Sequence, residues 1–248
     1  MAADAIAALA ERRRLADEER VAGRYGQAEA SLLAAIEEAT DAFGDGDVVV
    51  AVLRNDLAVT YKYAGRLAEA EGLYRQVLPV LEAALGPEHA EVAAVWHNLG
   101  GVRHAGGDLT SAERFARHGL ALRIAALGDD DLAVATDRAA LAPIVDGLGR
   151  HEEAEMLLCQ ALSVFVERLG AEHYEVAVAL HNLSAVYFHR GDLDGAEATA
   201  TRSLELRAAV LGSDHPELAS TLHNLAAIRR LLSVGTDHCE AIPTDRTG

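Results

Sequence analysis

The sequence predicts an all-α fold: a right-handed solenoid of about five helical hairpins, closed by a lone C-terminal capping helix. Three observations carry this reading. Gly44, Gly86, Gly128, Gly170 and Gly212 stand 42 residues apart, and Gly23, Gly65, Gly107, Gly149 and Gly191 keep the same step halfway between them. Between these glycines, apolar residues recur at helical spacing. The pair Ala-Glu also returns in register, as Ala28-Glu29, Ala70-Glu71, Ala112-Glu113, Ala154-Glu155 and Ala196-Glu197. A period of this size marks stacked supersecondary units, none of which can bury its apolar face alone.

The stretch from Glu88 to Leu127 shows how one unit is built. Val92, Val95, Trp96, Leu99 and Val102 form the apolar face of a first helix, which Gly106 and Gly107 stop because a left-handed C′ position costs glycine nothing. Asp108 is placed to cap a second helix by accepting from its free backbone donors. That helix carries Leu109, Ala112, Phe115, Ala116, Gly119, Leu120 and Ile124 on one face and ends at Leu127-Gly128. Eight positions after each Ala of the Ala-Glu pairs stand Ile36, Leu78, Leu120, Leu162 and Leu204. The alanine column lets helices approach closely, and the leucine column is expected to fill the core between repeats.

In chain order the hairpins are expected near 3–21 and 26–43, 47–64 and 67–85, 89–106 and 109–127, 131–148 and 151–169, and 173–190 and 193–211. An eleventh helix near 215–232 covers the last open face. The solenoid domain thus spans residues 1–232, and the aperiodic, Gly-, Pro- and Thr-containing residues 233–248 read as a disordered tail.

Composition narrows the function classes. Half the residues are hydrophobic, which suffices for a continuous core, and the formal net charge is −17. Nucleic acid is excluded as a partner, because neutralising phosphates requires a basic face. No run of about 18 apolar residues is present to span a membrane. The basic Arg12-Arg13-Arg14 run follows the short apolar N-terminal segment, the reverse of a secretory signal. Of the two cysteines, Cys159 falls within a helical apolar pattern and reads as core, while Cys239 lies in the tail. This usage fits a reducing, cytoplasmic protein without a disulfide framework.

Three kinds of residue string resemble the tetratricopeptide family, specifically its 42-residue variety found in kinesin light chains and many bacterial proteins. Ala84-Leu85-Gly86-Pro87-Glu88-His89 and Val210-Leu211-Gly212-Ser213-Asp214-His215-Pro216 look like the linker between repeats. His97-Asn98-Leu99, His181-Asn182-Leu183 and His223-Asn224-Leu225 look like the first-helix signature. Gly191-Asp192-Leu193-Asp194-Gly195-Ala196-Glu197 looks like the hairpin turn and second-helix start. The resemblance covers roughly residues 3–232. It implies a non-enzymatic scaffold or adaptor that binds an extended peptide segment in its concave groove and works as a monomer without a cofactor.

In that family the residue just before the first-helix leucine faces the groove and is often Asn. Carried over, this selects Asn98, Asn182 and Asn224, with Asp56 in the same column of the second repeat and Arg14 in the first. A carboxamide offers both a donor and an acceptor, matching a peptide unit regardless of sequence. The alternative role for these asparagines is to cap or bridge neighbouring helices. Following the same helical faces brings in Arg13, Arg20, Lys62 and His104, together with His97, His181 and His223 beside the asparagines. The N-terminal end of the groove then reads as basic within an acidic protein and suits an acidic ligand. The opposing reading pairs the Arg12–Arg14 run with Glu11, Asp17, Glu18 and Glu19 on an exposed helix.

The fourth repeat departs from the others, with Ala140 in the asparagine column and Pro143 inside its first helix. A kink there would open a pocket beside Asp146, reached by His104, Tyr63 and His181, and make a small-molecule sensor or enzyme the alternative function. No metal site is expected. His97, His181 and His223 share a column but sit too far apart for one zinc. His89, His173 and His215 occupy the column of Asp47 and Asp131 and read as helix-start residues. The Asp-Gly segments lack a calcium loop's spacing and its terminal Glu.

Overall fold

Backbone conformation at the glycines explains why the two clocks exist. In the computed structural model, which describes residues 2–213, 215 and 218–240 (side chains over 6–213, 215 and 218–233), the residues with φ in the left-handed region are the ten clock glycines. Gly86, with φ 92° and ψ 151°, lies in a region that only glycine occupies without strain. Gly191, with φ 81° and ψ 8°, is a left-handed helix cap. Each repeat therefore turns twice, once tightly inside the hairpin and once on leaving it.

The described helices are α1 (Ala2–Val21), α2 (Tyr25–Phe43), α3 (Val48–Tyr63), α4 (Leu67–Leu85), α5 (Ala90–Ala105), α6 (Leu109–Leu127), α7 (Leu132–Gly147), α8 (His151–Leu169), α9 (Tyr174–Arg190), α10 (Leu193–Leu211) and α11 (Leu218–Glu240). The fold is the expected all-α solenoid of hairpins. The first ten bounds agree with the periodicity to within a residue or two, and α11 runs on past the expected end at residue 232 to Glu240. The chain beyond residue 240, where the rest of the expected tail falls, lies outside the described residues.

The helices form two units, residues 1–129 and 130–248. In the first, the hairpins α1–α2, α3–α4 and α5–α6 stack in sequence, and the first helices α1, α3 and α5 also touch one another in turn. Their core is built on Leu32, Val50, Tyr74, Val77, Leu81, Val92 and Val95. In the second unit, α7–α8 and α9–α10 stack with α11, and Leu141, Ile144, Leu158, Phe165 and Ile228 are buried.

The alanine column behaves as its size requires: Ala28, Ala70, Ala112, Ala154 and Ala196 are all fully buried. The leucine column packs less deeply than expected. Ile36, Leu78, Leu162 and Leu204 are only half-buried, and Leu120 alone is buried. The column of Leu32, Tyr74, Ala116, Leu158 and Ala200 lies deeper than the leucine column, four residues after each alanine and so on the same helical face. Cys159, expected in the core, is exposed. It follows the inward Leu157 and Leu158 and has turned past the buried stripe.

Helix starts follow the linker column. Asp47 and Asp131 accept from the backbone N–H two residues on, at 2.8 Å in each case. His89 and His173 do the same through Nδ1, at 3.1 and 3.2 Å. These histidines are N-caps, as the Asp residues in their column suggested.

One core group works against the fold. Tyr74 is fully buried, yet its hydroxyl finds no hydrogen-bond partner among the described residues. Leaving such a group unsatisfied costs about 1–3 kcal/mol, whereas removing it leaves the ring packing intact. Tyr74→Phe is expected to raise the stability measured by urea unfolding by roughly 1 kcal/mol. A loss of stability would show that the hydroxyl is bonded.

Candidate functional site

The first helices of unit 1 present one face each, and the 42-residue step aligns them. On α1 that face carries Arg14, Asp17 and Arg20, with Arg13 beside them; on α3, Asp56, Val59 and Lys62; on α5, Asn98, Gly101 and His104. Between α1 and α3 opens a cavity of about 520 Å³, lined by Arg13, Arg14, Asp17, Arg20 and Asp56 with Ala10, Ala16 and Val59 as its apolar part.

Most of the expected basic end is neutralised internally. Arg13 donates to both carboxylate oxygens of Asp56, one of them at 3.3 Å. Arg14 pairs with Glu11 at 2.6 Å and with Glu18, and Arg20 pairs with Asp17. Arg12 reaches Glu38 at 3.0 Å. Neutralisation is therefore more complete than the sequence suggested, and it draws on carboxylates of α2 and α3 as well as α1. Asp56, assigned to the ligand column, is the partner of Arg13. Burial pushes its carboxyl upward, and the arginine opposes this.

Lys62 is different. It is half-buried and has no carboxylate partner among the described residues. Its contacts are the ring of Tyr63, 5.6 Å from Nζ to the centroid, and the open Cα of Gly101. A Cβ at Gly101 would lie 2.8 Å from Nζ. Arg20 approaches the same Tyr63 ring at 5.1 Å. Burial, together with the charge of Arg20, lowers the Lys62 pKa below its ordinary value. His104 in turn is lowered by burial and by the charge of Lys62. Arg20, Lys62 and His104 thus feel one another across three successive first helices.

The asparagines do not cap or bridge helices. Asn98, Asn182 and Asn224 are each half-buried, and their carboxamides make no hydrogen bond among the described residues. Asn98 lies one helical turn before Gly101 on α5, the glycine against which Lys62 Nζ rests. His97 precedes it, and its backbone N lies close to Gly119.

In unit 2 the expected residues separate. His181 is turned inward: its Nδ1 lies 3.1 Å from the hydroxyl of buried Thr221, and burial followed by the charge of Arg207 lowers its pKa. His223 is exposed and, with Asn224, Phe188, His189, Ala185 and Ile228, bounds a smaller cavity of about 200 Å³. This cavity lies against α9 and α11, not at Pro143, through which α7 runs uninterrupted. Asp146, assigned to a pocket beside Pro143, is buried and held by two imidazoles. His151 Nδ1 stands 2.6 Å from one carboxylate oxygen and His189 Nδ1 2.7 Å from the other. Sequence reasoning passed over both histidines. The available signal was columnar: His151 stands where Tyr25, Leu67, Leu109 and Leu193 begin the other second helices.

Among the described residues, no helix is long and apolar enough to cross a membrane. No curated protein matches the chain. Solved structures do. Nearly identical TPR-like repeats ascribed to a kinesin light chain of Podosopora anserina share 21% identity, with a TM-score of 0.63 over 82% of this chain and 96% of that one. BtubC (BKLC) from P. vanneervenii shares 22% identity, with a TM-score of 0.63 over 99% and 94%. A signal transduction ATPase with a tetratricopeptide repeat sensor from Pyrococcus horikoshii shares 17%, with a TM-score of 0.63 over 94% of this chain and 36% of that one. At these identities the likeness is one of fold. One tetratricopeptide repeat model matches residues 91–167 and 175–233, and a second matches residues 50–91. With its glycine-timed hairpins and more than half its length matched, the chain belongs to the tetratricopeptide repeat family.

Proposed function

We propose that this protein-interaction scaffold holds an extended acidic peptide segment on the face formed by α1, α3 and α5. The observation that carries the reading is Lys62, a half-buried ammonium without a carboxylate partner among the described residues, resting on Gly101 one helical turn from the unpartnered carboxamide of Asn98. Keeping a cation partly desolvated and unpaired costs folding energy. A ligand carboxylate offsets that cost, and the low local dielectric strengthens the resulting bond.

The roles then divide. Asn98 reads the peptide backbone, donating to a C=O and accepting from an N–H. Lys62, with Arg20 behind it, fixes an Asp or Glu side chain, and Gly101 leaves room for the ammonium. Asn182 and Asn224 offer the same backbone-reading chemistry in unit 2, without a comparable cation.

A library of extended peptides of about ten residues, graded from acidic to basic, tests this by fluorescence anisotropy against the full chain. Acidic members are expected to bind, and Asn98→Ala to weaken them about five- to tenfold, as loss of one or two hydrogen bonds would, with the circular dichroism unchanged. Affinity indifferent to peptide charge, or unmoved by Asn98→Ala, would overturn the assignment. The same change at Asn182 and Asn224 examines unit 2 separately.

A further inference from the structure

We infer that Asp146, His151 and His189 form a zinc-binding site in unit 2, independent of the peptide face. Three elements converge there: the C-terminal end of α7, the first residue of α8 and the C-terminal end of α9. One ligand atom from each residue lies within 4.8 Å of the other two. Each oxygen of Asp146 faces a different imidazole nitrogen, at 2.6 and 2.7 Å. The carboxylate is 7% exposed, while His151 and His189 are 32% and 48% exposed. The anion is therefore fixed in the protein and the imidazoles open to solvent, which gives an ion a route in.

The chemistry of the donor set selects the ion. Two imidazole nitrogens and one carboxylate oxygen suit zinc, at about 2.0–2.2 Å per bond, and leave a fourth position for water or a ligand group. Calcium and magnesium prefer sites built entirely of oxygen. Ligand atoms in a tetrahedral zinc site stand about 3.3 Å apart, so the cluster, whose donors lie within 4.8 Å of one another, closes on the ion by rotation of its side chains. On binding, both imidazoles coordinate through Nδ1, and the proton each Nδ1 shares with Asp146 passes to solvent or, by exchange with water, to Nε2. The carboxylate exchanges two hydrogen bonds for the metal. Arg150 and Arg190 flank the site but are engaged by Glu153 and Glu155, so they do not oppose a cation.

The repeat supplies an independent argument. One of the three positions, His151, departs from a column of otherwise apolar residues. His151 stands where Tyr25, Leu67, Leu109 and Leu193 start the other second helices, while the columns of Asp146 (Arg20, Lys62, His104, Phe188) and His189 (Val21, Tyr63, Ala105, Gly147) change residue with every repeat and leave both positions free to carry a donor.

The test is zinc titration of the metal-free full chain by calorimetry, with cobalt absorption as a readout of geometry. One zinc per chain is expected, with a dissociation constant at or below about 10 μM, a tetrahedral cobalt spectrum, and a melting temperature that rises with zinc concentration. His151→Leu restores the residue type of the other repeats and so protects the fold; His189→Ala removes an exposed ligand. Each is expected to weaken zinc at least roughly tenfold and to abolish the zinc-dependent rise in melting temperature. Zinc bound equally by wild type and both variants would place it on other histidines and overturn the site. So would the absence of stoichiometric binding by wild type.

Discussion

Gly119→Ala is expected to destabilise unit 1 by about 2 kcal/mol, although alanine is the better helix former. Gly119 lies inside α6, where replacing Gly by Ala on an open surface gains roughly 1 kcal/mol. Here a Cβ would stand 2.9 Å from both the Ala93 carbonyl oxygen and the His97 nitrogen of α5, and 3.3 Å from Trp96 Cβ. Two of those atoms are backbone, so relief requires α5 and α6 to separate. Overpacking of this kind costs about 1–3 kcal/mol, sometimes more. The separation would also disturb Gly100, whose own Cβ would meet the Ala116 nitrogen at 3.0 Å, so the two close approaches fail together. Gly72→Ala supplies the contrast. It is also within a helix, but a Cβ there meets nothing within 4 Å, and it is expected to gain about 0.5–1 kcal/mol. Thermal unfolding followed by circular dichroism separates them: a fall of about 4–8 °C for Gly119→Ala against a small rise for Gly72→Ala. A rise in both would mean that α5 and α6 are not tightly apposed.

What the sequence made legible was whatever the repeat enforces on every copy. The glycine clocks, the buried alanine column and the Asp or His helix starts recur because each answers a backbone or close-packing demand that returns every 42 residues. Cys159 was legible too, by the same comparison. Its column holds exposed Leu33 and the polar residues Arg75, Arg117 and Thr201, which mark an outward position that the local apolar pattern around Met156–Leu158 obscured. The ion pairs were less accessible. Arg12 reaches Glu38 on α2 and Arg13 reaches Asp56 on α3. Such pairings depend on side-chain reach between helices, which spacing within α1 does not report. The Asp146 cluster was hidden for the opposite reason: Asp146 and His189 fall in columns that vary from repeat to repeat and His151 is an exception to its own, so a reading built on recurrence passes over all three.

Lys62→Glu is expected to lower affinity for an acidic peptide roughly 100-fold, and Lys62→Met roughly tenfold. The smaller figure corresponds to loss of one charge-assisted hydrogen bond, about 1.5 kcal/mol, and the larger adds repulsion at a partly desolvated position. Stability should move the other way. Burial lowers the Lys62 pKa in the folded chain, so over the interval between its folded and unfolded values the unfolded state binds more protons. Stability therefore rises with pH there, and below that interval the buried charge is a standing cost. Lys62→Met removes the cost, and its melting temperature at neutral pH is expected to equal or exceed that of wild type. The pH profile of binding follows from the same group. Affinity for the acidic peptide should fall as pH rises through the lowered Lys62 pKa, earlier than an ordinary lysine would allow. It should strengthen on the acid side only below the usual histidine range, where His104 gains its proton. A lysine kept for structure would lose stability on replacement and leave binding untouched. A lysine kept for a ligand weakens binding and relieves the fold, and calorimetry with paired thermal melts of wild type, Lys62→Met and Lys62→Glu decides between the two.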